Sequence, residues 1–109
     1  MASKLHHVAV RSANFEQTVR FFQEVFGMEI SRTRGEAPAR MLWFKEGIQI
    51  NEAAEVHASE GIWDHVGIAV DNKEEILSKV PALGCTIFPE KPHWFCTPDG
   101  IVIELMPWE

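Results

Sequence analysis

Four polar residues stand inside apolar, β-branched runs of the chain: His7, Gln49, His65 and Glu104. Side chains alternate between the two faces of a strand, so each run sorts its residues into two sets. Val8 and Val10 share one face, and His7 and Ala9 the other. Val66, Ile68 and Val70 oppose His65, Gly67 and Ala69. Ile48 and Ile50 oppose Gln49 and Asn51, and Ile101, Ile103 and Leu105 oppose Val102, Glu104 and Met106. One face of each strand is therefore suited to packing on helices, whereas the other carries small residues and one polar group. A buried polar group needs a partner. Two imidazoles, an amide and a carboxylate could satisfy one another through a shared divalent ion, with room left by Ala9, Gly67 and Ala69. Such an ion keeps a net positive charge, polarises a substrate carbonyl and stabilises an enediolate or enolate. Glu104 is the candidate base for the α-proton. A lone strand histidine is more often a core or surface residue, and a carboxylate near a strand end is often solvated. The recurrence of polar residues at matching parity is what favours a site.

That recurrence belongs to an internal repeat. His7-Val8-Ala9-Val10 is matched by His65-Val66-Gly67-Ile68, and Phe26-Gly27-Met28-Glu29-Ile30 by Leu83-Gly84-Cys85-Thr86-Ile87. Gly47-Ile48-Gln49-Ile50 is matched by Gly100-Ile101-Val102-Ile103-Glu104-Leu105. Periodicity predicts a strand over residues 5–11 and a helix over 14–26 with Phe15, Val19, Phe22 and Phe26 as its buried stripe. Gly27 stops that helix. Strands follow at 28–34, 40–45 and 47–52, with a tight turn at Glu46-Gly47. The second half predicts a strand at 63–70 and a helix over about 73–83, with Ile76, Leu77, Val80 and Leu83 facing inward. Pro81 should kink or shorten its last turn. Strands follow near 86–88, 93–96 and 101–106, the last two joined by Thr97-Pro98-Asp99-Gly100. The expectation is one domain over residues 1–109, with a first βαβββ module over about 4–52, a linker at 53–62 and a second module over about 63–107.

At 109 residues the chain fits one compact domain. Sixteen acidic against ten basic side chains give a formal charge of −6. This excludes a general nucleic-acid surface, because phosphate binding needs a basic stripe. An anionic small substrate held by a local arginine stays compatible. No apolar run approaches the length of a membrane span, and the expectation is of neither a span nor a signal peptide. Two cysteines, Cys85 and Cys96, are too few for a disulfide scaffold, and both read as small buried residues in a reduced, cytoplasmic protein.

The stretches Leu5-His6-His7-Val8-Ala9-Val10, His65-Val66-Gly67-Ile68-Ala69-Val70-Asp71-Asn72 and Pro98-Asp99-Gly100-Ile101-Val102-Ile103-Glu104-Leu105 resemble the vicinal oxygen chelate superfamily. It includes glyoxalase I, bleomycin and fosfomycin resistance proteins, extradiol dioxygenases and methylmalonyl-CoA epimerase. The resemblance implies an α+β fold in which two βαβββ modules form a curved mixed sheet with a metal cup. It places the metal ligands on the first and last strand of each module, at His7, Gln49, His65 and Glu104. It implies a divalent ion (zinc, nickel, cobalt, manganese or iron), a small-molecule substrate and a homodimer. The activity it implies is a glyoxalase I-like lyase or isomerase acting on an α-oxo or hemithioacetal substrate through a metal-stabilised enediolate. The alternatives are an epimerase, because a His, Gln, His, Glu set is similar to some methylmalonyl-CoA epimerases, an extradiol-type dioxygenase using a 2-His-1-carboxylate set, and a non-catalytic drug-binding protein.

The remaining residues carry smaller expectations. Trp43, Trp63 and Trp94 could line a pocket, with core packing as the preferred role. Arg11, Arg32, Arg34 and Arg40 could hold an anion but read as solvated. His6 points away from His7, His57 falls in the linker, and His93 belongs at a pocket rim. Asp71, Glu74 and Glu75 favour the dipole of the second helix.

Overall fold

The computed structural model describes residues 2–56 and 61–109; His57 lies outside the described residues. The chain forms β1 (Ser3–Ser12), α1 (Phe15–Phe26), β2 (Ile30–Arg34), β3 (Met41–Phe44), β4 (Ile48–Glu52), β5 (Trp63–Val70), α2 (Lys73–Lys79), a 3-10 segment (Val80–Leu83), β6 (Thr86–Phe88), β7 (Lys91–Cys96) and β8 (Val102–Pro107). This is β-α-β-β-β twice, an α+β fold whose strands pair in the order β2-β3-β4-β1 in the first repeat and β5-β8-β7-β6 in the second, each a mixture of parallel and antiparallel ladders. Two compact units are present, one over His7–Asp64 and one combining His65–Glu109 with the N-terminal residues up to His6.

In the first unit, β1 runs parallel to β4, with Val8 opposite Ile48, Ala9 opposite Gln49 and Val10 opposite Ile50. A parallel pair needs a crossover, and α1 begins it. Beyond α1 the chain returns through the antiparallel β2, β3 and β4. Gly27 closes α1 in a left-handed conformation (φ 66°), and its N–H donates to the Gln23 carbonyl. The inward stripe of α1 does what its spacing requires: Phe15 joins Leu42, Phe44 and Ile50 in a buried cluster, with Val10, Val19, Phe22, Met28 and Ile48 packed around it. Met28 belongs to this cluster, and β2 starts only at Ile30.

The second unit repeats the plan. Here β5 runs parallel to β8, with Val66 opposite Ile103 and Gly67 opposite Glu104, and β8, β7 and β6 pair antiparallel. Its core is Val70, Val80, Phe95 and Leu105, flanked by Ile68, Ile76, Leu77, Cys85, Ile87 and Ile103. Pro81 has the expected effect. The α-helix ends at Lys79 and the chain tightens into the 3-10 segment, with Pro81 in its first turn, where a missing N–H costs little. At the N-terminus of the chain, Ala2 N–H donates to Asp71 Oδ1 at 3.0 Å.

Several readings from sequence need correcting. Phe26 and Leu83, taken as the last residues of the two buried stripes, are 61% and 72% exposed. Helical periodicity marks a face but carries no information on where the surface it packs against ends. Cys85 and Cys96 are half-buried rather than fully buried, and both are free. Trp63 is 65% exposed and takes no part in either core. Arg40 is not simply solvated. Its Nε and Nη2 donate to the two carboxylate oxygens of Glu52, both at 2.8 Å, its Nη1 donates to Glu16 at 3.2 Å, and its guanidinium lies 4.6 Å from the Phe15 ring centroid. Among the described residues, no helix is long and apolar enough to cross a membrane.

Two predictions follow from this packing. Ile50 is fully buried, so Ile50→Ala should cost about 2–5 kcal/mol, read as a lower urea midpoint with an unchanged slope. The bidentate Arg40 guanidinium holds the Glu52 carboxyl down from 4.5 to about 2. A carboxyl whose folded value is depressed stabilises the fold above its unfolded value and loses that contribution as pH falls toward the folded one. The stability gap between the wild type and Arg40→Met should therefore be constant at neutral pH and close between pH 4.5 and 2, as measured by urea midpoints along a pH series.

Candidate metal centre

Each unit holds two of the four residues singled out from sequence. In the first, His7 and Gln49 are both buried, with exposures of 4% and 2%. Gln49 pairs with Ala9 across the β1–β4 ladder, and His7 is two residues before Ala9, so the pleat puts both polar side chains on one face. That face is opposite the one formed by Val8, Val10, Ile48 and Ile50, of which Val10, Ile48 and Ile50 pack in or against the core cluster. The Gln49 amide is not isolated: Nε2 donates to Asn51 Oδ1 at 2.8 Å, and Asn51 Nδ2 donates to Asp64 Oδ2 at 3.3 Å.

In the second unit, the same register argument brings His65 and Glu104 together. Glu104 pairs with Gly67, two residues beyond His65, and the side chains meet with His65 Nε2 3.2 Å from Glu104 Oε1. His65 is buried and the Glu104 side chain is 18% exposed. The other carboxylate oxygen, Oε2, faces His93 Nε2 at 4.0 Å. His93 is 43% exposed along its side chain, which suits the rim position read from sequence.

Trp94 departs from the expected core role. It pairs with Glu104 across β7–β8, as Trp43 pairs with Gln49 across β3–β4, so the two indoles occupy equivalent places in the repeat. The Trp94 ring meets the His65 ring edge-on at 4.5 Å, and its Nε1 donates to His93 Nε2 at 3.0 Å. The backbone alternation that selected Glu104 also selects its ladder neighbour, but the pairing of β7 with β8 is what joins them, and that register is not written in either strand alone.

The residue types suit a divalent cation. Neutral imidazole nitrogens and the oxygens of an amide and a carboxylate serve zinc, manganese, iron, cobalt and nickel alike. Among the described residues, the first unit offers His7 and the second His65 and Glu104 as side chains of this kind. Beside His7 in the first unit, Gln49 carries a neutral amide oxygen.

A duplicated βαβββ arrangement, with polar residues on the first and last strand of each repeat, defines a class of proteins that place reactive groups on the sheet face away from the helices. The chain belongs to the Glyoxalase/Bleomycin resistance protein/Dioxygenase superfamily, whose family model matches residues 4–105. No curated protein sequence matches it. Among solved structures, it is similar to a hypothetical protein from Bacillus halodurans C-125 (14% identity, 96% of this chain and 94% of that one, TM-score 0.72). It is also similar to methylmalonyl-CoA epimerase from Streptomyces coelicolor in complex with 2-nitronate-propionyl-CoA (14% identity, 94% of both chains, TM-score 0.68). A third is the Mn(II)-bound glyoxalase from Novosphingobium aromaticivorans (20% identity, 96% of this chain but 38% of that one, TM-score 0.69). At these identities the likeness is one of fold.

The edge-on contact of Trp94 with His65 gives a local reporter. A paramagnetic ion such as Mn(II) bound at His65 should quench indole emission, and Trp94→Phe should remove most of that quenching. Steady-state fluorescence during a Mn(II) titration measures both.

Proposed function

We propose that His7, Gln49, His65 and Glu104 hold one divalent metal ion, and that the chain is an enzyme moving a proton next to a carbonyl in a small α-oxo or hemithioacetal substrate, as a glyoxalase I-like lyase or isomerase does. The observation that carries this reading is the 3.2 Å approach of the buried His65 imidazole to the Glu104 carboxylate on the sheet face opposite the core. Family membership supports it, as does a Mn(II)-bound glyoxalase among the proteins of similar fold. A resident divalent ion supplies Lewis-acid polarisation of a substrate oxygen.

The protein's own groups do the rest. His7 and His65, both buried, supply nitrogen donors. Gln49 supplies an oxygen donor without charge, so Glu104 is the one anionic ligand. Glu104 also serves as the base: Oε1 is directed at His65, and Oε2, on the His93 side, takes the α-proton and returns it. The buried Ala9 and Ala69 keep the surrounding strand surface small and leave space for substrate.

A second reading, an epimerase acting on an acyl-CoA, is favoured by the neutral amide at position 49 and by the similarity in fold to methylmalonyl-CoA epimerase. A homodimer and a cytoplasmic location complete the proposal. The homodimer rests on the family resemblance, and the location on the two free cysteines, which agree with a reducing compartment.

Metal analysis of the purified protein, followed by assays with methylglyoxal plus thiol, a chiral acyl-CoA, and catechols under oxygen, tests the proposal. Bound metal with turnover of the first substrate supports the lyase, and turnover of the second supports the epimerase. Bound metal with oxidation of catechols alone, or absence of both metal and turnover, rejects proton transfer. Glu104→Gln keeps an oxygen donor but loses the base, so kcat should fall by about 10²–10⁴-fold when measured with excess metal to keep the site loaded. Undiminished turnover in that variant removes Glu104 from the role of base.

A further inference from the structure

Gln49 can serve a cation only through its carbonyl oxygen, because an amide nitrogen has no lone pair to give. The two ends of a glutamine amide are almost the same size. Which end faces the ion is decided by what the neighbouring groups can donate and accept. The first unit contains a chain of groups that makes this choice. It begins at Asp64, whose ionised carboxylate can only accept hydrogen bonds. Asn51 therefore turns its Nδ2 toward Asp64 Oδ2, at 3.3 Å, and its Oδ1 the other way. That oxygen can only accept, so Gln49 turns its Nε2 toward it, at 2.8 Å, and presents Oε1 at its other end. Asp64 is itself fixed: Arg11 Nε lies 3.6 Å from the same Oδ2, and Arg11 Nη1 is anchored on the Trp63 carbonyl at 2.6 Å and reaches the Gly61 carbonyl at 3.4 Å.

We infer that Asp64, through Asn51, is a positioning residue that sets the polarity of the Gln49 amide and so turns its oxygen outward as a metal ligand. Asn51 is two residues beyond Gln49 on β4 and shares its face, and Arg11 pairs with Asn51 across the β1–β4 ladder, so the pleat and register that place Gln49 also place the relay. Reversing one amide in the chain would set an N–H against an N–H or an oxygen against an oxygen. The single carboxylate at the outer end thus fixes both amides. The inference rests on the reading of Gln49 as a ligand, and the experiment separates the two.

Mn(II) affinity, measured by isothermal titration calorimetry on the full chain, is the readout. Asp64→Asn is nearly isosteric but removes the acceptor-only terminus. It should weaken Mn(II) binding by about 10–100-fold, the usual effect of losing a group that orients a ligand. The double variant Asn51→Asp with Asp64→Asn moves the carboxylate next to Gln49, restores the polarity of the chain and should recover most of the affinity. If Gln49→Ala weakens binding while a folded Asp64→Asn does not, the relay is wrong and the ligand stands. If Asp64→Asn weakens binding and the double variant fails to recover it, a mere structural role for Asp64 replaces the relay. If Gln49→Ala binds Mn(II) as the wild type does, or the wild type binds none, the ligand reading falls and takes the relay with it. Amide NMR of the metal-free wild type gives a test that needs no variant to fold. The side-chain amide protons of Gln49 and Asn51 should exchange slowly compared with those of the exposed Gln17, and equally fast exchange overturns the relay.

Discussion

Everything chemical in this chain depends on the pairing register of two parallel ladders, β1 on β4 and β5 on β8. Ala9 sits opposite Gln49 and Gly67 opposite Glu104. Slipping β8 by one residue would drive Glu104 into the cluster of Val70, Val80, Phe95 and Leu105 and turn Leu105 out to the polar face. The hydrophobic residues therefore do more than stabilise the fold. Burial of Ile48, Ile50, Ile103 and Leu105 makes the wrong register expensive, and that expense is what holds the polar residues to a defined face.

Parallel pairing also explains how residues distant in sequence become neighbours. The first and last strands of each repeat lie side by side, with a helix and two strands between them in sequence. His65 and Glu104 meet across 39 residues because β5 and β8 share a ladder. The intervening elements serve mainly as crossover and cover: α1 and the α2 segment supply the apolar lids, and the edge hairpins β2–β3 and β6–β7 extend the sheet.

Much of this was legible in the sequence because the signals are local and repeated. Alternation in four short runs separated the core face from the polar face, and the internal repeat told which polar residues were equivalent. Pro81 announced the change to a 3-10 segment. What could not be read involves contacts between elements whose register is set by the whole fold. Nothing near Trp94 in sequence tells that its indole rests on the His65 imidazole, since that contact depends on β7 pairing with β8 and β8 with β5. Arg40 read as solvated because its partner, Glu52, is placed beside it only when β3 and β4 form a hairpin with Met41 opposite Asn51. The exposed Phe26 and Leu83 show the same limit from the other side.

The two repeats differ in one chemically decisive respect. At equivalent ladder positions, each beside an indole, one carries an amide and the other a carboxylate. An amide does not titrate near neutral pH, so only one of the two positions carries an acid–base group. On the function proposed above, Glu104 alone would carry a proton out and back, and any reaction that needs a second acid–base group would have to draw it from outside this pair of positions.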